Sequence, residues 1–273
     1  MKLIVIGAGI AGSSATRIAR DKGWDVTLVD NMPLIAASRS ALATIRPTWF
    51  DKADRVDLER SWEWYTAWGA AGSREAYVSN WRNEEVKKQK DWWLVDPILP
   101  LVEPDVAERV VGIYKNHVTT DAGSLIEADA ILNCTGAYGS ELSRDVTLFA
   151  GVTWISRNAE LDYSPYRVHH LRPYKSLSVA QVNGVTRLGS SIAATADKAI
   201  EDGKEMLQQG FDLGIVKSGD WEMSLGWRAK GKGGLPIYPE LGQRNAYFSG
   251  LARSGYGLSP AIAEKWIDSV SLA

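Results

Sequence analysis

Short apolar runs and glycine turns alternate over the first thirty residues. Residues 2–7 form an apolar run typical of a buried strand, and residues 25–29 form a second one. Between them, Gly7, Gly9 and Gly12 lie in a GAGIAG sequence that leads into a predicted helix ending at residues 22–23. Asp30 directly follows the second run. This order of strand, glycine turn, helix, strand and acid is that of a βαβ unit binding the ADP part of a dinucleotide.

Each glycine of this unit has a separate predicted role. Gly7 allows the tight turn out of the first strand, and Gly9 lets the backbone approach a pyrophosphate. Gly12 lets the helix pack closely on the strand, while the helix N-terminus presents N–H groups and a positive dipole to the phosphates. Asp30 is placed to accept a hydrogen bond from a ribose hydroxyl, and its charge disfavours the 2′-phosphate of NADP.

Further patterns predict elements along the rest of the chain. A helix is predicted over 52–68 from Leu58, Trp62 and Tyr65 at helical spacing, and residues 82–91 are expected to form a solvated face or loop. The remaining predicted elements are strands at 109–114, 117–120, 128–134, 168–171, 177–181, 186–190 and 246–249, a helix from Thr195 to Gln209 that ends at Gly210, and a last helix beginning near Ser259 and Pro260.

Three segments each run from a strand into glycines, which favours a discontinuous cofactor domain. We expect an α/β fold in which a Rossmann-like domain, formed by 1–50, 110–150 and 226–273, carries an inserted substrate domain of mainly antiparallel sheet, formed by 51–109 and 151–225.

Composition narrows the class of protein. The 273 residues have 45% hydrophobic and 23% charged side chains and a net charge of −2, so no global attraction to nucleic acid or membrane is expected. The first strand begins at Lys2, no apolar run approaches the ~20 residues of a membrane span, and the single Cys134 fits a reducing compartment. These features predict a cytoplasmic protein.

Four stretches together resemble the FAD-dependent amino-acid and amine oxidases of the D-amino-acid oxidase and glycine oxidase group. They are the N-terminal GAGIAG with Asp30, the Ser/Arg-rich loop at 37–41, the strand end at 131–137, and the C-terminal pair 226–237 and 250–260. The last is the most specific, because a dehydrogenase that uses only NAD has no reason to return to the cofactor at its C-terminus. The chain is shorter than members of this family usually are, and the deficit is expected in 51–110 or 150–225.

The resemblance implies FAD, which some members of the family hold through a cysteine thioether. Because Cys134, the only cysteine, is predicted to lie on a buried strand, the FAD is expected to be bound non-covalently. The cofactor-binding positions that it implies are Gly7, Gly9, Ile10, Ala11, Gly12, Asp30, Asn31, Ser38, Arg39, Ser40, Ala41, Val111, Thr135, Gly136, Arg228, Gly250, Arg253, Ser254, Gly255, Tyr256, Gly257 and Leu258. Gly255 and Gly257 are expected to bring backbone N–H groups to the flavin carbonyl.

The implied activity is oxidation of the C–N bond of an amine or amino acid, with glycine-like or N-substituted glycine substrates favoured. Hydride transfer to flavin N5 would be followed by imine hydrolysis and reoxidation by oxygen, so positioning dominates over acid–base chemistry. Arg228, after Gly226 and Trp227, matches the family's arginine for the substrate carboxylate, and a guanidinium pairs with a carboxylate through two hydrogen bonds. Arg253 is the second candidate catalytic residue. No metal site is expected, because His117, His169 and His170 lack ligand spacing.

Three alternatives remain open at the level of sequence. Trp62, Trp64 and Trp68 are too many for one buried helix face, and such a cluster would suit stacking on an amino-acid-modified nucleobase in DNA or RNA. A dehydrogenase passing electrons to a quinone or protein acceptor fits the same fold. A non-catalytic flavin-binding interaction protein, using the aromatic cluster as an interface, is the third. Oligomers are compatible with each.

Overall fold

A parallel sheet of four strands and a mainly antiparallel sheet of seven strands form the framework of the computed structural model. The structure describes residues 1–31, 36–137, 146–172, 175–189, 191–252 and 254–272. The α/β fold class expected from the sequence is confirmed.

Most of the described elements lie close to where the sequence pattern predicts them. The strands are β1 (Lys2–Ile6), β2 (Asp25–Val29), β3 (Thr44–Ile45), β4 (Glu75–Asn80), β5 (Asn83–Lys90), β6 (Trp93–Leu94), β7 (Val110–Ile113), β8 (His117–Thr120), β9 (Leu125–Glu127), β10 (Ala130–Asn133), β11 (Val146–Ser156), β12 (Tyr166–Arg172), β13 (Lys175–Val182), β14 (Val185–Gly189), β15 (Glu222–Gly231) and β16 (Asn245–Tyr247). The helices are α1 (Ile10–Asp21), α2 (Lys52–Ala67), α3 (Ala196–Asp212) and α4 (Gly255–Ser271), with short 3-10 turns at Pro47–Trp49 and Lys232–Gly234.

The parallel sheet has the strand order β16-β10-β1-β2 and is covered on both faces. Leu3 and Val5 of β1 share a core with residues of α1 and α4. Ile4 and Ile6 point the other way, as period-two alternation requires, and pack against the antiparallel sheet β7-β8-β9. Burial on both faces explains why β1 reads as a continuous apolar run.

The seven-stranded sheet has the order β15-β11-β14-β13-β12-β4-β5. Residues 82–91, expected as a solvated face or loop, instead contain β5 at the edge of this sheet. Strand β5 pairs with β4, but most of its side chains, including its lysines, are exposed to solvent. It therefore lacks the apolar alternation from which a strand is predicted. Charged side chains on an edge strand discourage pairing with a second chain.

The predicted end of α3 at Gly210 is wrong, because the helix continues to Asp212. A Cβ on Gly210 would lie 2.8 Å from Leu188 Cδ1 and 3.2 Å from Val216 Cγ2. The glycine is therefore required for close packing of α3 on the sheet, rather than as a helix stop.

The predicted start of the last helix is also wrong, because α4 begins at Gly255 and Pro260 lies inside it. A proline in this position leaves the carbonyl of the residue four positions earlier, Tyr256, without its helical N–H donor. The Tyr65 hydroxyl of α2 donates to that carbonyl at 2.8 Å, so a contact from another helix replaces the missing bond.

Two predicted domain boundaries fall inside the seven-stranded sheet. Strand β11 begins at Val146 and β15 runs to Gly231, and the two pair along their length from Val146–Gly231 to Ile155–Glu222. Helix α2, expected in the substrate domain, packs on α4. The division into two domains stays a prediction.

Candidate active site

A cleft lies at the carboxyl ends of β1, β2 and β10, where parallel sheets of this type form ligand sites. Segments far apart in the chain meet there. It is lined by Gly7, Gly9, Ile10, Ala11, Asp30, Ala36, Ala37, Ser38, Cys134, Thr135, Gly136, Ala137, Trp227, Arg228, Ala229, Phe248, Ser249, Gly250, Leu251, Ala252 and Gly255.

The glycines of the first turn are required by close backbone contacts. Gly7 has a φ of +100°, and a Cβ there would lie 2.6 Å from the carbonyl oxygen of Cys134. A Cβ on Gly12 would lie 1.9 Å from the Gly7 carbonyl oxygen. At Gly9 the nearest atom to such a Cβ is Ser38 Oγ, at 3.2 Å. Gly7 and Gly12 therefore build the turn, whereas Gly9 keeps the cleft side of the backbone open.

Two backbone N–H groups at the N-terminus of α1 donate hydrogen bonds to side-chain oxygen atoms of the chain. Ser38 Oγ accepts from Ile10 N–H at 2.9 Å, and the Asp30 carboxylate accepts from Ala8 N–H. The N-cap residue, Gly9, provides no side-chain oxygen itself. A helix N-terminus in an open glycine cradle suits a pyrophosphate, and the Asp30 carboxylate is an acceptor for a ribose hydroxyl, so these residues fit FAD.

The loop before β3 is packed against β15 through a second glycine. A Cβ on Gly226 would lie 3.1 Å from Ala37 Cα and 3.0 Å from Ser40 Cβ. Ser40 Oγ is 2.7 Å from Ser224 Oγ and donates to the Leu225 carbonyl at 3.2 Å. Contacts through Gly226 and Ser40 thus hold Ser38 over the helix N-terminus.

Arg228 projects from β15 across the cleft wall and is half-buried. Its Nη1 donates to the Ser191 carbonyl at 3.3 Å, and a Cβ on Gly151 would lie 2.8 Å from its Nη2. The small Gly151 therefore makes room for the guanidinium on the neighbouring strand β11. Arg228 and the helix N-terminus contribute the positive groups of one cleft.

The C-terminal segment reaches the cleft through Gly250 and Gly255, as the sequence predicts. Tyr256 supports the cleft without lining it: its hydroxyl donates to the Pro97 carbonyl at 2.6 Å and lies 3.0 Å from the Ser38 carbonyl. Burial raises the pKa of this hydroxyl above its ordinary range, so it remains a donor. Arg253 lies outside the described residues.

Ten predicted cofactor positions do not line the cleft. Four of them contact residues that shape the cleft or pack next to it. Gly12 lies against the Gly7 carbonyl, Ser40 contacts Ser224, the Tyr256 hydroxyl contacts the Ser38 carbonyl, and Gly257 packs against Phe50 and Leu58. The others are Asn31, Arg39, Ala41, Val111, Ser254 and Leu258, of which Val111 is 53% exposed on β7.

Sequence reasoning did not assign Phe248, Ser249, Ala252 and Trp227 to the site. Each lies within two positions of an assigned glycine or arginine, and this proximity in sequence is the available signal. Phe248 is fully buried and Trp227 is half-buried. They contribute apolar side chains to the lining of the cleft.

Cys134 lines the cleft and is buried. Burial raises the pKa of its thiol well above the ordinary value of 9.0, so the group is a protonated, weak nucleophile at neutral pH. This supports the expectation of a non-covalent cofactor, which stays a prediction.

The tryptophans of α2 are used in packing and do not line the cleft. Trp62 meets Trp93 edge to face at 5.2 Å, and the Arg74 guanidinium lies 4.8 Å from the Trp62 ring. Trp64 donates through Nε1 to Glu264 of α4 at 3.2 Å, and Arg17 lies over Trp68. The cluster that suggested a stacking surface therefore has a packing explanation.

The histidines are held by local contacts. His169 and His170 each have Nδ1 within hydrogen-bond distance of a serine hydroxyl, and His117 stacks on Tyr114. In the described part of the chain, no group of three or more His, Cys, Asp or Glu residues could hold a metal ion. None of its helices combines the length and the apolar character that a membrane crossing requires.

Comparison with known proteins agrees with this geometry. Residues 2–86 match the DAO family, described as FAD dependent oxidoreductase. No protein with a curated description matches the sequence.

Solved structures match over almost the whole chain. Iminodiacetate oxidase from Chelativorans sp. BNC1 is 17% identical with a TM-score of 0.75, over 98% of this chain and 95% of that one. Glycine oxidase from Bacillus cereus is 14% identical with a TM-score of 0.76, over 98% and 96% of the two chains. L-α-glycerophosphate oxidase from Mycoplasma pneumoniae, solved with FAD bound, is 12% identical with a TM-score of 0.68, over 99% and 94%.

At these identities the structural likeness is one of fold. The family match and the FAD-bound neighbour support FAD as the cofactor of the cleft. The resemblance drawn from the sequence is confirmed: residues 2–86 match the FAD dependent oxidoreductase family, and the chain has the fold of the glycine oxidase and iminodiacetate oxidase structures.

Proposed function

We propose that this FAD-dependent oxidoreductase oxidises the C–N bond of an amine that carries a neighbouring carboxylate, with glycine and N-substituted glycines as the substrate class. The observation that carries the proposal is the Arg228 guanidinium in the wall of the cofactor cleft. The names of two structural neighbours, glycine oxidase and iminodiacetate oxidase, point to the same class.

The position of Arg228 suits recognition of a carboxylate. Its Nη1 contact with the Ser191 carbonyl, at 3.3 Å, fixes the orientation of the guanidinium in the cleft wall. A planar fork paired with a carboxylate fixes both the position and the orientation of the substrate. The amine-bearing carbon is then held at a defined distance from the cleft floor.

The apolar lining of the cleft has a complementary role. Phe248, Leu251 and Trp227 line the cleft and restrict water around the reacting carbon. Bound FAD would supply the hydride acceptor. The chain itself contributes orientation, a positive charge for the carboxylate and exclusion of water, so no proton-transferring side chain is required for this class of oxidation.

Anaerobic reduction of the FAD-loaded protein tests the proposal. Glycine, N-methylglycine and iminodiacetate should bleach the flavin absorbance near the visible maximum, whereas methylamine, the matched amine without a carboxylate, should bleach it far more slowly. Equal bleaching by methylamine, or no bleaching by any of the four, would contradict the proposal.

The electron acceptor is tested separately. We propose that oxygen returns the flavin to its oxidised state, so peroxide should form in the presence of substrate and air. Turnover that needs an added quinone, with no peroxide in air, would identify a dehydrogenase instead.

A further inference from the structure

A second recess, separate from the cofactor cleft, lies between the loop after β6 and the seven-stranded sheet. This groove has a volume of about 770 Å³, and its walls include Pro97, Ile98 and Leu99 from the loop and Ile155, Arg187 and Glu222 from the sheet. None of its lining residues also lines the cleft. The Tyr256 hydroxyl, bonded to the Ser38 and Pro97 carbonyls, stands between the two.

Arg187 lies in the wall of this groove as a buried cation whose hydrogen bonding is incomplete among the described residues. It is in the middle of the sheet, paired with Ile155 of β11 and Ala180 of β13, and is only 8% exposed. Its Nη1 is buried without a hydrogen-bond partner among the described residues. Burial lowers the pKa of this guanidinium below its ordinary value. A buried cation is costly unless an anion and hydrogen-bond acceptors satisfy it.

Asp96 is the acidic side chain whose charge acts on Arg187, and its oxygens make other hydrogen bonds. Its Oδ1 accepts from the backbone N–H groups of Ile98 and Leu99 at 2.8 and 2.9 Å, and its Oδ2 accepts from Asn183 Nδ2 at 2.6 Å. Asp96 therefore shapes the loop. Its negative charge acts to raise the pKa of Arg187, but the described residues show no ion pair between the two side chains. A second cation, Arg157, also lines the groove and is exposed.

The opposite charge is found at the exposed part of the groove. Asp220 and Glu222 line it with exposed side chains, and Asp220 accepts from Asn158 Nδ2 at 2.9 Å. A buried guanidinium with carboxylates nearer the solvent favours a ligand that carries a negative group at one end and a positive group at the other. Apolar side chains of Ile98, Leu99 and Val185 leave room for a small aliphatic body between them.

We propose that this groove binds a small zwitterion, such as an amino acid or a betaine, with its carboxylate on Arg187 and its cationic end toward Asp220 and Glu222. The site differs from the one at Arg228 and does not require turnover. A ligand held there would therefore bind whether or not the protein oxidises it.

Calorimetric titration of the full-length, FAD-loaded protein with trimethylglycine tests the proposal. This probe has the required charges but no N–H and no lone pair on nitrogen, so it is not a substrate for the proposed oxidation. Arg228→Met is used as the background, because it removes the other arginine that could hold the carboxylate. We expect one saturable binding event in R228M and a loss of affinity of about tenfold or more in R187M/R228M.

Matched variants separate binding from folding. Arg167, on β12, is 7% exposed and also has buried nitrogens without partners, but it does not line the groove. R167M/R228M should therefore bind trimethylglycine as R228M does. Circular dichroism and thermal unfolding show whether R187M impairs folding. If it does, R187K/R228M replaces it, because lysine keeps the positive charge. This variant should bind trimethylglycine more weakly than R228M, because an ammonium lacks the planar fork of a guanidinium.

Three outcomes would overturn the proposal. The first is the absence of saturable trimethylglycine binding in R228M. The second is equal affinity for trimethylglycine in R228M and in its R187M or R187K derivative. The third is equally tight binding of acetate or inorganic phosphate, which would indicate a simple anion site. Failure of flavin reduction by amines would leave this binding result unaffected, so the two proposals fail independently.

Discussion

The hydroxyl of Tyr65 donates a hydrogen bond of 2.8 Å to the backbone carbonyl of Tyr256, in the first turn of α4. Both side chains are buried, and Pro260 has no N–H to offer that carbonyl. Helix α2 thus completes the hydrogen bonding of the helix that brings Gly255 to the cleft. Packing between α2 and α4 is therefore coupled to the geometry of the candidate site.

Replacing Tyr65 by Phe should lower the free energy of unfolding by about 1–3 kcal/mol, because the Tyr256 carbonyl would be buried without a donor. Urea denaturation measures this change. Pro260→Ala restores a helical N–H at that position, so Y65F should cost less in the P260A background than in the wild type. Equal costs in the two backgrounds would show that the carbonyl is not the group affected.

Glycines 9 and 12 should separate cofactor binding from folding. Gly12→Ala places a Cβ against the Gly7 carbonyl oxygen and should destabilise the protein by about 1–3 kcal/mol or more, with loss of FAD. Gly9→Ala meets only the Ser38 hydroxyl, so it should fold normally but bind FAD more weakly. Thermal unfolding and flavin fluorescence titration measure the two properties. A G9A variant with unchanged FAD affinity would contradict the assigned role of Gly9.

Arg228→Met should reduce kcat/KM for N-methylglycine by about tenfold to a hundredfold, the effect of losing a hydrogen bond to a charged group. The reduction should appear mainly in KM. Lys230→Met, an exposed position on the same strand, is the matched loss of a positive charge and should have little effect. A comparable loss in K230M would indicate general electrostatics rather than a specific carboxylate contact.

The ion pair between α2 and α4 should make stability depend on acidic pH. Arg60 donates to Glu264 at 2.6 Å, and this contact holds the pKa of the Glu264 carboxyl below its ordinary value of 4.5. A depressed folded-state pKa stabilises the protein above pH 4.5, and this stability is lost as the pH falls through the folded pKa. Because Arg60 is 45% exposed, the effect should not exceed about 1 kcal/mol.

Unfolding of wild type and Glu264→Gln across this pH range measures the effect. The difference between them should shrink as the pH falls below 4.5. Glu63→Gln removes the more exposed carboxylate partner of Arg60, with a side chain 64% exposed, and serves as the matched loss of one negative charge. A constant difference between wild type and E264Q would exclude this carboxyl as the titrating group.

The sequence predicts the structure well where residues close together in the chain determine it. The first βαβ unit is predicted within a few residues of its observed bounds, because Gly7, Gly12 and the apolar run of β1 are all required within that unit. The neighbours Gly226 and Trp227 carry the pattern that points to Arg228, which lines the cleft; its role stays a prediction.

The errors come from residues whose partners lie elsewhere in the chain. Gly210 and Pro260 look like helix boundaries, yet one makes room for Leu188 and the other is tolerated because of Tyr65. In the same way, Trp62, Trp64 and Trp68 together look too many for one buried helix face, because residues that pack on them, such as Trp93 and Arg74, lie outside the helix. No single-segment pattern contains this information.

Strand β11 pairs with β14 on one side and with β15 on the other, without a register shift. Arg228 lies opposite Phe149 and Arg187 lies opposite Ile155, so the two arginines point to the same face of the sheet, six positions apart along β11. At ~3.4 Å per residue, their backbone positions are about 20 Å apart. One uninterrupted strand therefore fixes the distance between the two backbone positions, and movement of the surrounding loops does not change it.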